Sequence, residues 1–118
     1  MTPTRRTLEA LRARGLTCGI VEKWNPHARI RQDLFGWIDI VAMGPEGIIG
    51  VQSTGQDFAG HRTKLLGPRL AMVREWIQAG GKAELWGWRK VKKVRGGKLM
   101  VWRPRVEAIT LDTLEAEQ

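Results

Sequence analysis

Residues 38–54 read IDIVAMGPEGIIGVQST, and this stretch decides the fold that we expect. Its two ends are rich in β-branched and other apolar residues, which favour strands. The Gly-Pro-Glu-Gly segment at 44–47 has the composition of a tight turn. The pattern therefore predicts a hairpin formed by Ile38–Met43 and Ile48–Thr54.

The segment before the hairpin predicts one helix and one strand. Thr4 or Thr7 is suited to cap a helix that ends near Arg14, where Gly15 follows. Residues 16–24 have the composition of a strand, and residues 27–37 predict a short strand edge or an irregular connection.

The segment after the hairpin predicts a helix and a second hairpin. Apolar residues recur at helical spacing within residues 61–79, and Gly67-Pro68 is expected to interrupt this helix near its start. Two strands follow, Ala83–Val91 and Leu99–Arg103, and Pro104 is expected to end the second. The order α-β-β-β-α-β-β predicts an α/β fold with one mixed sheet flanked by helices.

Length and composition indicate a single folded domain over residues 1–118, with a core at about 4–91, a basic hairpin at 83–105 and an acidic tail at 106–118. The lone cysteine excludes an internal disulfide. No apolar run approaches the length of a membrane span, and the first residues lack the apolar segment of a secretory signal. We therefore expect a cytoplasmic protein without membrane contact.

Positive charge is concentrated in the second half of the chain. Residues 61–105 contain 13 Lys or Arg and 2 Asp or Glu, whereas residues 1–60 contain 7 and 6. A basic surface of this kind predicts a polyanionic partner, of which nucleic acid is the usual one. Trp86 and Trp88 are flanked by basic residues, and packing against a helix or a subunit partner is the favoured explanation over stacking on bases.

Asp39 is the residue most indicative of chemistry. It stands between two isoleucines in a predicted strand, where a buried carboxylate needs a hydrogen-bond donor or a metal ion. Strand alternation puts Gln52 and Thr54 on one face, and the hairpin brings them beside Asp39. Asp39 followed by Gln52-Ser53-Thr54 resembles the motif of the PD-(D/E)XK nuclease superfamily, particularly its small phage and Holliday-junction-resolvase-like members.

This resemblance implies a restriction-endonuclease-like αβββαβ core and Mg²⁺- or Mn²⁺-dependent DNA cleavage in a bacterial or phage-infected cell. It implies that Asp39, Gln52 and the Ser53 carbonyl hold the metal ion, with a further acid from Glu9 or Glu22. Asp33 fits either a metal site or a turn cap.

The second half of the motif departs from the family. Gln52 replaces the usual glutamate, and Thr54 replaces the usual lysine, although a threonine can still position a water molecule. We expect Lys64 to supply the missing lysine, with Arg62 as the alternative. The basic residues expected to hold the DNA backbone are Arg31, Arg62, Arg89, Lys90, Lys92, Lys93, Arg95, Lys98 and Arg103.

Three functions remain open at this point. The first is an endonuclease, for which a homodimer is one way to cut both strands. The second is a catalytically inactive DNA-binding module with the nuclease fold. The third is an unrelated basic α/β nucleic-acid-binding domain in which an arginine simply neutralises Asp39.

Overall fold

A computed structural model describes residues 1–116 of the chain. The strands are β1 (Thr17–Ile20), β2 (Lys23–Asn25), β3 (Ile30–Gln32), β4 (Ile40–Gly44), β5 (Gly47–Thr54), β6 (Lys82–Lys92) and β7 (Met100–Ile109). The helices are α1 (Pro3–Ala13), α2 (Phe58–Leu66), α3 (Leu70–Gln78) and α4 (Leu111–Ala116). No helix within the described range is both long enough and apolar enough to cross a membrane.

Five of the strands form one mixed sheet in the order β1-β4-β5-β6-β7. Strands β4 and β5 are the antiparallel hairpin predicted from residues 38–54, with Ile40 opposite Val51. Strands β5 and β6 are parallel, and α2 and α3 form the crossover between them. A parallel pair requires such a crossover, so the helical segment after the hairpin dictates this part of the topology. The predicted mixed sheet flanked by helices is confirmed.

Apolar side chains cover both faces of the sheet. On one face, Leu8 and Leu11 of α1 pack with Val51, Trp86 and Trp88. The other face carries a second core with contributions from α2, α3 and α4. Helices on both faces explain why consecutive residues 49–52 of β5 are buried, without the alternating exposure of a strand that has one face in solvent.

The predicted strand at 16–24 is wrong, because the chain divides into β1 and β2 at Val21 and Glu22. Both of these residues donate their backbone N–H to the carbonyl of Asp39, at 2.8 and 3.4 Å. A pair of residues on one strand that faces a single residue on the next strand forms a β-bulge, and a bulge turns a strand away from its neighbour. Strand β2 therefore leaves the sheet and pairs with β3 in a separate two-stranded ribbon.

Two predicted boundaries also need correction. Helix α1 is capped by Thr2, whose side chain accepts from the N–H of Arg5 at 3.1 Å, and Pro3 occupies the first turn. Proline favours that position because it has no N–H to satisfy there. Pro104 does not end the last strand, since β7 continues to Ile109. Strand β7 lies at the edge of the sheet, where a missing N–H is tolerated.

The predicted interruption of the second helical segment is confirmed. Helix α2 ends at Leu66 and α3 begins at Leu70, with Gly67-Pro68 between them. Helix α2 starts earlier than expected, because Asp57 caps it by accepting from the N–H of Gly60 at 3.2 Å. The first turn of α2 then packs on β6, where Phe58 lies against Gly87.

Candidate functional site

Three carboxylates meet at the end of the sheet where β4 begins and β5 finishes. Glu22, Asp33 and Asp39 each present an oxygen, and these oxygens lie within 4.8 Å of one another. The three residues come from different local structures, namely the bulge, the turn after β3 and the bend before β4. Such a group is able to hold a metal ion, and carboxylate oxygens suit a hard divalent cation.

A tight chain reversal brings Asp33 and Asp39 together. Leu34 and Ile38 exchange backbone hydrogen bonds of 2.9 and 3.0 Å, which closes the loop between them. Phe35 and Gly36 within this loop have φ values of 56° and 79°. Consecutive residues with positive φ reverse the chain sharply, so the two aspartates that flank the loop lie side by side.

Asp39 is buried, with 4% of its surface exposed. Its Oδ2 accepts a hydrogen bond of 2.7 Å from the N–H of Ser53 on β5. Burial raises the pKa of Asp39 to about 8, and a hydrogen bond with Asp33 adds to this rise. The Ser53 N–H opposes it, whereas the charges of Asp33 and Glu22 reinforce it. Burial and the neighbouring acids therefore favour the protonated form of Asp39 when no cation is bound.

Gln52 lies between the acids, and its amide orientation is determined by its neighbours. The Nε2 group donates to the carbonyl of Trp37 at 2.8 Å and to Oδ2 of Asp33 at 3.1 Å, and it is 3.5 Å from Oδ2 of Asp39. The opposite orientation would direct Oε1 at these acceptors. In the observed one, Oε1 is buried and has no hydrogen-bond partner among residues 1–116.

A cation at the three carboxylates would favour the opposite orientation of the Gln52 amide, in which the unpartnered Oε1 faces the acids and gains the ion as a partner. An unpaired buried acceptor costs about 1–3 kcal/mol, and a bound ion would offset this cost. Ser53 adds a further acceptor, because the N–H and C=O of one residue project to the same side of a strand. Its N–H is directed at Asp39, so its carbonyl lies on that side as well. The residues present therefore fit a divalent cation.

Lys64 reaches the acidic group from α2. Its Nζ lies 3.8 Å from Oδ2 of Asp33, the same oxygen that accepts from Gln52. The side chains of Lys64 and Asp33 are 34% and 18% exposed, so solvent and a ligand have access to this pair. The ammonium group of Lys64 thus borders the acidic group at Asp33, and no ion pair joins it to Asp39 in residues 1–116.

The other predicted residues divide into those at the site and those away from it. Arg31 lies at the site, with its guanidinium 3.7 Å from Oε1 of Glu22. Arg62 is directed elsewhere, because its Nε donates to both carboxylate oxygens of Glu107 at 3.0 and 3.1 Å. Glu9 is exposed on α1 and does not belong to the carboxylate group, so Glu22 is the acid that completes it.

Thr54 is buried at the end of β5, and no hydrogen bond joins its hydroxyl to the three acids within the described part of the chain.

Asp39 has no ion pair with arginine or lysine in residues 1–116, so the arginine-neutralised aspartate of the third hypothesis is not observed.

His61 is a site neighbour whose environment the sequence did not reveal. Both of its ring nitrogens are buried and lack a hydrogen-bond partner in the described range. Burial lowers its pKa, and the nearby charge of Lys64 lowers it further, against the opposing charges of Asp57 and Asp33. His61 is therefore a neutral imidazole beside the acidic group at neutral pH.

The basic hairpin of β6 and β7 extends past the same end of the sheet. Strand β5 ends opposite Gly87, whereas β6 continues to Lys92 before the chain returns along β7. We call residues 89–103 the basic arm. Its exposed basic residues are Arg89, Lys90, Lys92, Lys93, Arg95, Lys98 and Arg103. Since β5 and β6 are parallel, the arm projects from the end of the sheet at which Gln52 and the acids lie.

Comparison with known proteins yields no further information. No protein-family model matches the chain, and no curated protein or solved structure matches it at a significant level.

Proposed function

We propose that the chain is a divalent-metal-dependent DNA endonuclease of the PD-(D/E)XK type. The observation that carries this proposal is the position of Lys64, whose ammonium lies 3.8 Å from Asp33 at the edge of a group of three carboxylates. The order of α1, the three antiparallel strands, the helical crossover and β6 is the one expected of the αβββαβ core, and it supports the same assignment.

Glu22, Asp33, Asp39 and the oxygens of Gln52 and Ser53 would hold the cation, which we expect to be Mg²⁺ or Mn²⁺. Such an ion lowers the pKa of bound water and neutralises charge on a phosphate oxygen. Asp39 must lose its proton when the ion binds, so metal affinity is expected to increase with pH up to about pH 8.

Lys64 supplies the positive charge that Thr54 cannot. Its contact with Asp33 holds the ammonium at the edge of the carboxylate group, where it is able to orient a water molecule and stabilise charge on the phosphate. Arg31 lies beside Glu22 and lines the same depression as Asp33 and Lys64, so it is positioned to contact a phosphate of the bound strand. The basic arm adds affinity for the backbone without reading sequence.

A second function is favoured by one observation. Gln52 Nε2 donates to Asp33 and lies 3.5 Å from Asp39, so the amide satisfies carboxylate oxygens that a cation would otherwise use. With Asp39 protonated as well, the same fold would bind DNA without cutting it.

A cleavage assay distinguishes the two functions. Purified protein is incubated with linear duplex, single-stranded and four-way-junction DNA in Mg²⁺ or Mn²⁺, and Mn²⁺ binding is measured separately by calorimetry. Asp39→Asn and Lys64→Gln are expected to lower the cleavage rate by about 100-fold or more, since each removes a group that acts on the reacting phosphate. Lys82→Gln is the matched control, because Lys82 pairs with Glu46 on an exposed surface.

Cleavage that persists at the wild-type rate in Asp39→Asn would overturn the assigned site. DNA binding without cleavage in every metal would instead establish the binding module.

A further inference from the structure

The three tryptophans of the β6–β7 hairpin differ in exposure. Trp86 and Trp88 are buried, at 4% and 7% exposed, and they pack under α1 as the sequence analysis favours. Trp102 on β7 is 41% exposed. The guanidinium of Arg6 lies over its ring, 4.2 Å from the centroid. The stacked guanidinium already orients the exposed indole, so the Trp102 side chain loses little further conformational entropy when a ligand binds to the ring.

Positive charge surrounds this ring. Trp102 is directly opposite Lys90, so the two side chains lie on the same face of the hairpin. Residues 89–105 contain eight Lys or Arg and no acid. An aromatic ring within such a charge distribution is complementary to nucleic acid, because it offers a surface for a base and cations for the phosphates.

The first turns of α1 connect Trp102 to the acidic site. Arg5, next to Arg6, lines a depression of about 510 Å³ that also contains Glu22, Arg31 and Ser53. Thr7 is buried and fixes this turn of α1 on the sheet, since its hydroxyl accepts from Nε1 of Trp88 at 2.8 Å and lies 3.3 Å from Oγ of Ser53. Two adjacent arginines of α1 thus contact the two regions, Arg6 the exposed indole and Arg5 the depression that contains Glu22.

We propose that Trp102 and Arg6 form a stacking site for a base of an unpaired DNA strand, whose backbone then passes Arg5 to reach the acidic group. A base within a duplex is covered on both faces by its neighbours and cannot stack on the indole. The site thus selects DNA with a single-stranded segment, such as a flap, a gap or an open junction. This inference rests on the proposed action on DNA and specifies the substrate class.

The test measures binding without metal, so that it does not depend on cleavage. Fluorescence anisotropy is recorded with a labelled dT oligomer, an abasic oligomer of equal length and charge, and a duplex. The wild-type protein is expected to bind the dT oligomer about fivefold or more tightly than the abasic one, because the base supplies a stacking surface that the abasic sugar lacks.

Trp102→Ala is expected to remove this difference and to change duplex affinity less than twofold. Trp102→Phe should restore much of the preference. Arg6→Gln should weaken binding of the dT oligomer, and Arg12→Gln is the matched control. Arg12 is an exposed arginine near the other end of α1, where its guanidinium contacts the carbonyl of Cys18 at 3.5 Å.

Equal affinity of the wild-type protein for the dT and abasic oligomers would overturn the inference, and this comparison requires no variant. Equal losses on duplex and single strand in Trp102→Ala would also overturn it. Stacking that is retained in a protein that cuts no DNA under any metal would reject the nuclease and keep the single-strand site.

Discussion

Replacement of Asp39 by asparagine should make the folded protein more stable, and the gain should depend on pH. The pKa of Asp39 is raised from 3.8 to about 8, mainly by burial and then by its hydrogen bond with Asp33. Below about pH 4, both the folded and the unfolded chain carry the proton on Asp39. Between about pH 4 and 8, only the folded chain keeps it, so wild-type stability falls as the pH rises.

The magnitude follows from the size of the shift. Each pKa unit corresponds to about 1.36 kcal/mol, so a shift of about 4 units sets a ceiling of about 6 kcal/mol at pH 8 and above. Water entry and movement of the neighbouring acids reduce such costs, and we expect a gain of about 2–4 kcal/mol for Asp39→Asn at pH 8. The asparagine oxygen can still accept from Ser53, while its amide group can donate to Asp33.

Urea unfolding at pH 5, 6, 7, 8 and 9 measures this gain directly. The difference in unfolding free energy between the variant and the wild type should widen from pH 5 to 8 and then level off. Asp112→Asn, at an exposed position in α4, is the control and should show no such trend. A difference that stays constant across this range would refute the assignment of a buried, protonated Asp39.

Divalent metal should narrow the difference in unfolding free energy between Asp39→Asn and the wild type, because Mn²⁺ at about 100 times its Kd adds about 2.7 kcal/mol to the wild type, and Asp39→Asn should gain less. Thr7→Val should lower the unfolding free energy by about 1–3 kcal/mol, because the buried Nε1 of Trp88 loses its acceptor, whereas Thr7→Ser should retain most of the stability. Gly50→Ala should cost about 1–3 kcal/mol, because a Cβ there would lie 2.9 Å from Trp37 and 3.0 Å from Ile38. Gly19→Ala is the matched change, since nothing lies within 4 Å of its added Cβ. Removal of Lys92 or Lys93 from the basic arm should reduce the salt dependence of duplex binding by about one unit of slope each, and an unchanged slope would exclude phosphate contacts there.

Local patterns account for the parts of the site that lie within one hairpin. The turn at 44–47 and the apolar strands around it predict that Asp39 lies beside Gln52, and the two residues are in contact at 3.5 Å. The only change is that Asp39 lies in a bend just before β4 rather than within it. Such contacts are predictable because antiparallel pairing propagates from the turn one residue at a time.

Contacts between elements far apart in the sequence were harder to predict. Sequence left Glu9 and Glu22 as alternatives, and a bulge opposite Asp39 brings Glu22 to the acidic group by turning the chain at that residue. The signal for Asp33 was present in the Phe35-Gly36 pair, because residues with positive φ return the chain to Asp39. That glycine is equally typical of an ordinary turn, so the sequence could not distinguish a ligand from a cap.

The sequence by itself determined the hairpin, the break between α2 and α3 and the basic arm, since these depend on turn chemistry, proline and charge within a few residues. Tertiary structure alone decided that Lys64 meets Asp33, that Arg62 turns to Glu107, and that Trp102 is exposed while Trp86 and Trp88 are covered. These outcomes depend on how α1 and α2 pack across the sheet. The packing of helices on a sheet minimises exposed apolar surface over the whole domain, and no short segment encodes that result.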